Sequence, residues 1–273
     1  MRIAQITDPH MTAGSPEPGG YDAAAALAAV LAEVDRLAPD VVLLTGDLAA
    51  DGRPEEYRRL CAVLGASRTP MLAVPGNHDH RETFAGELAG SAILTGDGPG
   101  RWRERDDGPV RLLGLDTLGA GGSDVGVLGE AQRAWVADRL GRDDPRPVLI
   151  FMHHPPFPVG LPLDWTRCAD GDALARLVEA HPRVLAVVCG HLHRAARLAW
   201  AGSIGGVCPP VAWEVPLDLP AGTPPYLVPQ SPAFQLHVAD PGLGLVSHTQ
   251  HVTMNGFSAA ADRPSLAPMD GNR

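Results

Sequence analysis

Two observations predict an α/β protein with a substantially parallel sheet. Apolar strand-like runs alternate with helical segments through the first two thirds of the 273 residues, and this alternation is typical of βαβ units. Asp, His or Asn residues stand within two positions of the end of five of the apolar runs. Open α/β sheets bind ligands at the carboxyl ends of their strands, so the same pattern predicts where the functional site lies.

Helical segments are indicated by composition and by proline position. Residues 21–37 are rich in Ala and Leu and stop before Pro39, while Pro54 suits the first turn of a helix over 54–64. Two further helices are predicted over 130–140 and 171–180. The strands between them are predicted over residues 2–7, 41–45, 71–75, 110–115, 148–152 and 184–189.

The pattern changes after residue 195. Three strand-like runs, 196–200, 235–239 and 244–251, follow with no helical segment between them. Residues 256–273 are small and polar and are predicted to form a mobile tail. The remaining residues, 1–255, are predicted to form one domain.

Within that domain, residues 209–232 are dense in Pro and Gly. This segment carries Trp213 and Tyr226, whose large apolar surfaces suit a partner better than water. We interpret it as a cap over the pocket or a dimerisation arm, which predicts a homo-oligomer, at least a dimer. A long surface loop is the alternative interpretation.

Composition excludes several functions. The formal net charge is −10 and no basic run is present, which argues against a nucleic-acid partner. No segment approaches the ~20 apolar residues that a membrane-spanning helix needs, so no membrane association is expected. The chain begins with a strand-like run instead of a secretory signal, and the cytoplasm is the expected compartment. The four cysteines lack CxxC spacing and are expected to be reduced.

The residues that follow the strands form a metal-competent set. They comprise carboxylates, an amide and imidazoles: Asp8, Asp47, Asn77, His10, His153, His191 and His193. Two neighbouring metal ions need a ligand that bridges them, and a carboxylate has two oxygens with which to do so. Nitrogen and oxygen ligands without Cys suit iron, manganese, zinc or cobalt better than calcium.

Each of these residues has an ordinary explanation when it is taken alone. An Asp after a strand can cap the next helix, and Asn77 beside Gly76 can be a turn residue. The recurrence of such residues at five strand ends favours a shared site. Residues two apart in an extended segment also point to the same side, so both members of Asp-x-His and His-x-His can face one cluster.

Charge indicates the type of substrate. Two divalent ions, two carboxylates and a hydroxide leave a centre with a net charge of about +1, which suits a phosphodiester monoanion. Two-metal sites catalyse in-line displacement at phosphorus. The predicted reaction is therefore attack of a metal-bound hydroxide on a small phosphodiester.

The set Asp-x-His, Gly-Asp, Gly-Asn-His-Asp, His-His-Pro-Pro and Gly-His-x-His resembles the calcineurin-like metallophosphoesterase superfamily. More closely, the chain resembles bacterial class III cyclic-nucleotide phosphodiesterases and glycerophosphodiesterases. The phrases Gly52–Tyr57 and Phe151–Pro158 agree, and the resemblance covers roughly residues 1–252. It implies a four-layer α/β/β/α sandwich of two mixed sheets.

The resemblance also implies roles for individual residues. The first metal would be held by Asp8, His10, Asp47 and His193. Asp47 would bridge to a second metal, completed by Asn77, His153 and His191. Substrate contacts would be Asn77 and His78, with His78 binding the phosphate and giving a proton to the leaving group.

Three neighbouring positions have no such counterpart. The resemblance gives His154 no metal and His80 no role. Leu192 stands where glycerophosphodiesterase relatives often have Asn, at a position that we expect to line the substrate side.

The function implied by the resemblance is hydrolysis of small phosphodiesters, namely cyclic nucleotides such as cAMP, glycerophosphodiesters, or both. The cofactors would be two divalent or mixed-valence metal ions. Three alternatives stay open: a phosphomonoesterase of the same superfamily, a nuclease, and a non-catalytic module that binds metal or nucleotide.

Overall fold

The computed structural model of the chain describes residues 1–14, 21–89, 91, 93–94, 102–119, 123–217 and 226–254. The helices are α1 Ala23–Leu37, α2 Pro54–Leu64, α3 Arg81–Leu88, α4 Gly129–Leu140 and α5 Gly171–Glu179, with a short 3-10 turn at Asp164–Thr166. The strands are β1 Arg2–Ile6, β2 Val41–Thr45, β3 Met71–Val74, β4 Ile93–Leu94, β5 Arg103–Arg105, β6 Arg111–Leu115, β7 Val148–Met152, β8 Val184–Cys189, β9 Ala196–Trp200, β10 Ser203–Val207, β11 Ala233–Asp240 and β12 Gly244–His251.

These strands form two mixed sheets. The first has the order β12-β11-β1-β2-β3-β4, in which β1 to β4 are parallel and β11 is antiparallel to both of its neighbours, β1 and β12. The second has the order β5-β6-β7-β8-β10-β9, with β6, β7, β8 and β10 parallel and an antiparallel strand at each edge.

Alternating side chains divide the apolar core into layers. In β2, Val42 and Leu44 pack toward α1, whereas Leu43 packs between the sheets beside Phe151 of β7. On the other side of β7, Ile150 packs toward α4 and α5. β2 and β7 are buried on both faces because helices cover the outer face of each sheet. The predicted four-layer α/β/β/α sandwich is confirmed.

The carboxyl ends of the two sheets meet at one edge of the sandwich. The Gln5 amide of β1 donates to the Cys189 carbonyl of β8, 3.0 Å away. Nδ1 of His153, just after β7, lies 2.8 Å from the Thr45 carbonyl at the end of β2. The residues that follow β1, β2, β3, β7 and β8 therefore converge.

Several elements were not predicted. Helix α3 lacks a strong apolar pattern, and β10 contains Gly205 and Gly206, which disfavour strands. Gly205 is needed because a Cβ there would lie 2.7 Å from the Phe157 ring. The short strands β4 and β5 were missed as well.

The segment 209–232 is described only in part. Glu214 and Val228 pair as an isolated antiparallel bridge, so its two described ends lie together. Residues 218–225 and the predicted tail 256–273 lie outside the described residues, so the cap, the arm and the domain boundary stay predictions. Within the described residues, no helix is both long and apolar enough to cross a bilayer.

Candidate metal centre

Left-handed backbone is concentrated where the strands end. Among the described non-glycine residues, seven have positive φ, and five of these are predicted metal ligands: Asp8, His10, Asp47, His191 and His193. Such conformations cost free energy for residues with a Cβ and cluster at functional sites. The surrounding structure thus holds these five side chains in directions that ordinary strand or helix geometry does not give.

The first cluster is buried and contains two carboxylates. Asp8, His10, Asp47 and His193 each present a donor atom within 4.8 Å of the others. Nε2 of His10 lies 3.0 Å from Nε2 of His193 and 3.6 Å from Oδ2 of Asp47. Nε2 of His193 lies 3.6 Å from Oδ1 of Asp8. These are the four residues predicted to hold the first metal.

The second cluster adjoins the first through Asp47. Oδ2 of Asp47, which faces His10, also lies 3.4 Å from Nε2 of His153. Oδ1 of Asn77 is 3.1 Å from the same nitrogen. The His191 ring centroid is 5.0 Å from that of His153. All seven predicted ligands are therefore brought together, with one Asp47 oxygen between the two groups.

The imidazoles are held as metal-binding histidines usually are. One ring nitrogen of His153, His191 and His193 meets an oxygen, and the other is left for a metal. The partners are the Thr45 carbonyl at 2.8 Å, the Thr166 hydroxyl at 2.8 Å and the Trp213 carbonyl at 2.7 Å. The donor set and its supports fit a binuclear metal centre of nitrogen and oxygen ligands.

These supporting groups were not found from the sequence. Thr45 and Trp213 act through backbone carbonyls, which carry no residue signal. Thr166 lies 25 residues before His191, at the end of the short 3-10 turn, where no motif marks it. Trp213 belongs to the segment interpreted as a cap or arm, yet its ring packs 4.7 Å from the Tyr21 ring and 6.4 Å from the His10 ring.

The protonation of the centre follows from its burial and charge. Burial alone would raise the pKa of Asp47, but the neighbouring imidazoles outweigh it and hold that pKa well below its usual range. Burial lowers the pKa of His10 and His191 well below the usual value. Burial also disfavours charge on His153, but Asp47 raises its pKa to about 9.

His78 lies beside the centre without joining either cluster. Its ring centroid is 4.7 Å from that of His10, and its side chain is exposed. Nδ1 contacts the Ala50 carbonyl at 2.8 Å, which leaves Nε2 for a substrate. Partial desolvation by neighbouring groups would lower the pKa of His78, but Asp47 and the Ala50 carbonyl raise it.

Two other expectations have different outcomes. His154 is buried, and its Nδ1 lies 2.7 Å from the Thr117 hydroxyl. It also lies close enough to His153 and His191 for the three imidazoles to hold one ion, so the expectation that His154 binds no metal stays a prediction. Leu192 was expected to line the substrate side, and this is wrong: it is 1% exposed and packs in the apolar layer between the second sheet and its helices.

Known proteins share this architecture and sequence. A family model described as calcineurin-like phosphoesterase matches residues 1–195. The chain is 34% identical to the glycerophosphodiester phosphodiesterase GpdQ of Enterobacter lignolyticus, over 87% of this chain and 86% of the relative. It is 29% identical to the 3′,5′-cyclic adenosine monophosphate phosphodiesterase CpdA of Escherichia coli K12, over 74% and 73%. A dimetal phosphatase structure from Danio rerio superposes with a TM-score of 0.69 at 17% identity, over 93% of this chain and 99% of that one.

Proposed function

This chain belongs to the calcineurin-like phosphoesterase family and is a metal-dependent phosphodiester hydrolase. From that premise we propose that it hydrolyses small phosphodiesters at the centre around Asp47. The proposed substrates are 3′,5′-cyclic nucleotides and glycerophosphodiesters. Relatives named for each activity match most of the chain, at 29% and 34% identity.

The position of Asp47 carries the proposal. A single oxygen, Oδ2, lies 3.6 Å from Nε2 of His10 and 3.4 Å from Nε2 of His153. A bridging carboxylate needs such a position, because it must reach both metal ions at once. Oδ1 accepts the backbone N–H of His78 at 2.9 Å, which fixes the carboxylate and the loop of His78 together.

When bound, two metal ions supply a hydroxide at neutral pH and stabilise negative charge on the phosphoryl oxygens. The chain's own residues do the rest. Asp8 and Asp47 offset the positive charge of the ions. Asn77 and His78 lie at the solvent side of the centre, where they can bind the phosphate. Nε2 of His78 can give a proton to the departing alkoxide.

The charge of the site favours a diester over a monoester. The two bound divalent ions, the carboxylates of Asp8 and Asp47 and one hydroxide would give the centre a net charge of about +1. A singly charged diester balances that charge, whereas a doubly charged monoester exceeds it.

The first experiment compares diester and monoester turnover. Purified protein with added Mn²⁺ is expected to hydrolyse bis(p-nitrophenyl) phosphate with a larger kcat/KM than p-nitrophenyl phosphate. The reverse order would favour a phosphomonoesterase. No turnover of either would favour a binding module, and degradation of single-stranded DNA would favour a nuclease. Cyclic AMP and glycerophosphoethanolamine then separate the two candidate substrate types.

Metal identity and assembly are part of the proposal. The ligand set suits iron, manganese, zinc or cobalt, and elemental analysis of the protein as purified would distinguish them. We propose a homo-oligomer in which residues 209–232 contact a neighbouring copy or cover the pocket. The cytoplasmic location stays an expectation.

A further inference from the structure

The phrase Gly52–Tyr57 supplies none of the predicted ligands, yet it packs against the loop that carries His78. The phrase spans the loop after β2 and the first residues of α2. The His78 loop follows β3 and leads into α3. The two loops contact each other in three ways.

The first contact is made by glycine. Gly52 has a φ of +70°, and a Cβ built there would lie 2.9 Å from the backbone nitrogen of His80 and 3.1 Å from the carbonyl oxygen of His78. Both atoms are backbone, so neither can move aside as a flexible side chain would. The absence of a side chain at residue 52 therefore sets how closely the two loops approach.

The second contact is made by Tyr57. Its buried hydroxyl donates to Oδ1 of Asp79 at 2.7 Å and accepts the backbone N–H of His80 at 3.2 Å. The two residues after His78, Asp79 and His80, therefore both hydrogen-bond to the Tyr57 hydroxyl.

Asp79 extends this contact to the ligand loops. Its carboxylate accepts the backbone N–H groups of Leu48 and Ala49, directly after Asp47, and that of Gly76, directly before Asn77. A buried carboxylate with four donors is well satisfied and rigid. The Asp79 carboxylate therefore fixes the position of His78 relative to Asp47.

The third contact orients the His78 ring itself. Nδ1 lies 2.8 Å from the carbonyl oxygen of Ala50, two residues before Gly52. Glu56 fixes this part of the chain, because its Oε2 accepts the N–H groups of Asp51 and Arg53, each at 3.0 Å. The ring direction of His78 therefore depends on the Gly52–Tyr57 phrase.

We propose that Gly52–Tyr57 is a positioning element for His78, in which Gly52 sets the approach of the two loops and Tyr57 holds the loop after His78. This inference rests on the proposed proton-donor role of His78. The element touches neither the substrate nor a metal. It acts by keeping Nε2 of His78 aimed at the leaving group.

Gly52→Ala tests the close approach, and the chain offers a matched control. Gly202 has nearly the same φ, +71°, but nothing lies within 4 Å of a Cβ built there. Both substitutions place alanine in left-handed backbone and carry the same intrinsic strain. Only Gly52→Ala forces the His78 loop to move.

The measurement is the ratio of kcat on an alkyl diester to kcat on bis(p-nitrophenyl) phosphate, together with metal content. An alkyl leaving group needs the proton, whereas p-nitrophenolate does not. We expect Gly52→Ala to lower the ratio at least about tenfold with two metal ions retained, and Gly202→Ala to leave it unchanged. A protein that is merely less folded would lose both activities equally.

Three outcomes would contradict the inference, and the measurements distinguish them from one another. If His78→Ala lowers the ratio and Gly52→Ala does not, the inference is overturned while the proposed function stands. If His78→Ala leaves the ratio unchanged, the proton-donor role and the inference both fail. Loss of metal in Gly52→Ala would make the phrase a support of the metal centre, and the inference wrong.

Tyr57→Phe provides a milder variant if Gly52→Ala does not fold. It removes one hydroxyl and keeps the ring, so a several-fold fall in the same ratio is expected. Tyr21→Phe is the control, because its hydroxyl contacts the Pro9 carbonyl at 3.3 Å and takes no part in the three contacts that join the two loops. Equal ratios in both variants would contradict the role of Tyr57.

Discussion

The two halves of the centre differ in burial and in charge. The first half, the cluster around Asp8, is buried: Asp8 is 0% exposed, His10 6% and His193 7%. It contains two carboxylates, those of Asp8 and Asp47. The second half has only the shared Asp47, and its Asn77 and His191 are partly exposed. From this difference we propose that the buried half anchors a metal ion and that the open half meets the substrate.

The largest effect is expected where the halves join. Asp47→Ala removes the one carboxylate among the seven predicted ligands that lies between the two groups, so both metal ions should be lost. Activity on bis(p-nitrophenyl) phosphate should fall more than about 10³-fold, or roughly 4 kcal/mol of transition-state stabilisation. Asp51→Ala is a control, because Asp51 is an exposed carboxylate paired with Arg53. Two bound ions per chain in Asp47→Ala would disprove the bridging role.

A smaller effect is expected on the open side alone. His78→Ala should keep both metal ions but lower kcat on alkyl diesters by ~10²–10⁴. The loss should be smaller on p-nitrophenyl diesters, whose leaving group needs no proton. Steady-state kinetics on the two substrates, with elemental analysis, measure this. Equal losses would leave His78 only a phosphate-positioning role, and loss of metal would make it a ligand.

The halves should also differ in metal affinity. A site with fewer carboxylates and more solvent holds a dication less firmly, so the half with Asn77, His153 and His191 should release its ion first. We expect at least about a tenfold difference in affinity. Calorimetric titration of metal-free protein with Mn²⁺ measures it, and activity should follow the weaker site. Two equal, tight sites would show that the burial difference has no thermodynamic consequence.

The smallest effect on the centre is expected from residues 218–225. Trp213 supports His193 through its carbonyl, so the described stem of the segment must stay. Replacement of 218–225 by a short Gly-Ser linker should leave metal content unchanged and lower the molecular mass measured by light scattering. A wild-type protein that is already monomeric would contradict the oligomer prediction.

Regular elements were predicted well wherever local pattern suffices. The bounds of β2, α2, β7, β8, β9 and β12 agree with the prediction. Continuous apolar residues give the signal in β2, β7 and β8, and a proline at the first helical position gives it in α2. Helix α3 and strand β10 were missed because tertiary contacts stabilise them: Phe84 of α3 packs against Tyr57, and Gly205 of β10 fits under Phe157.

The candidate site, like the fold, was predicted only where the signal lies in the local sequence. The seven ligand types and their order follow from motifs, because a carboxylate or an imidazole in a fixed place after a strand is visible in the chain. The Leu192 expectation failed because motif position does not say which side of a tight turn faces the core.

The sequence by itself determined the α/β class, the family and the residues that can bind metal, since apolar periodicity and side-chain chemistry are local properties. Only the tertiary structure decided which Asp47 oxygen lies between the halves, which oxygen holds the rings of His153, His191 and His193, and which half is open to solvent. Those features depend on the meeting of two sheets whose strands are distant in sequence, and on backbone atoms that every residue has in common.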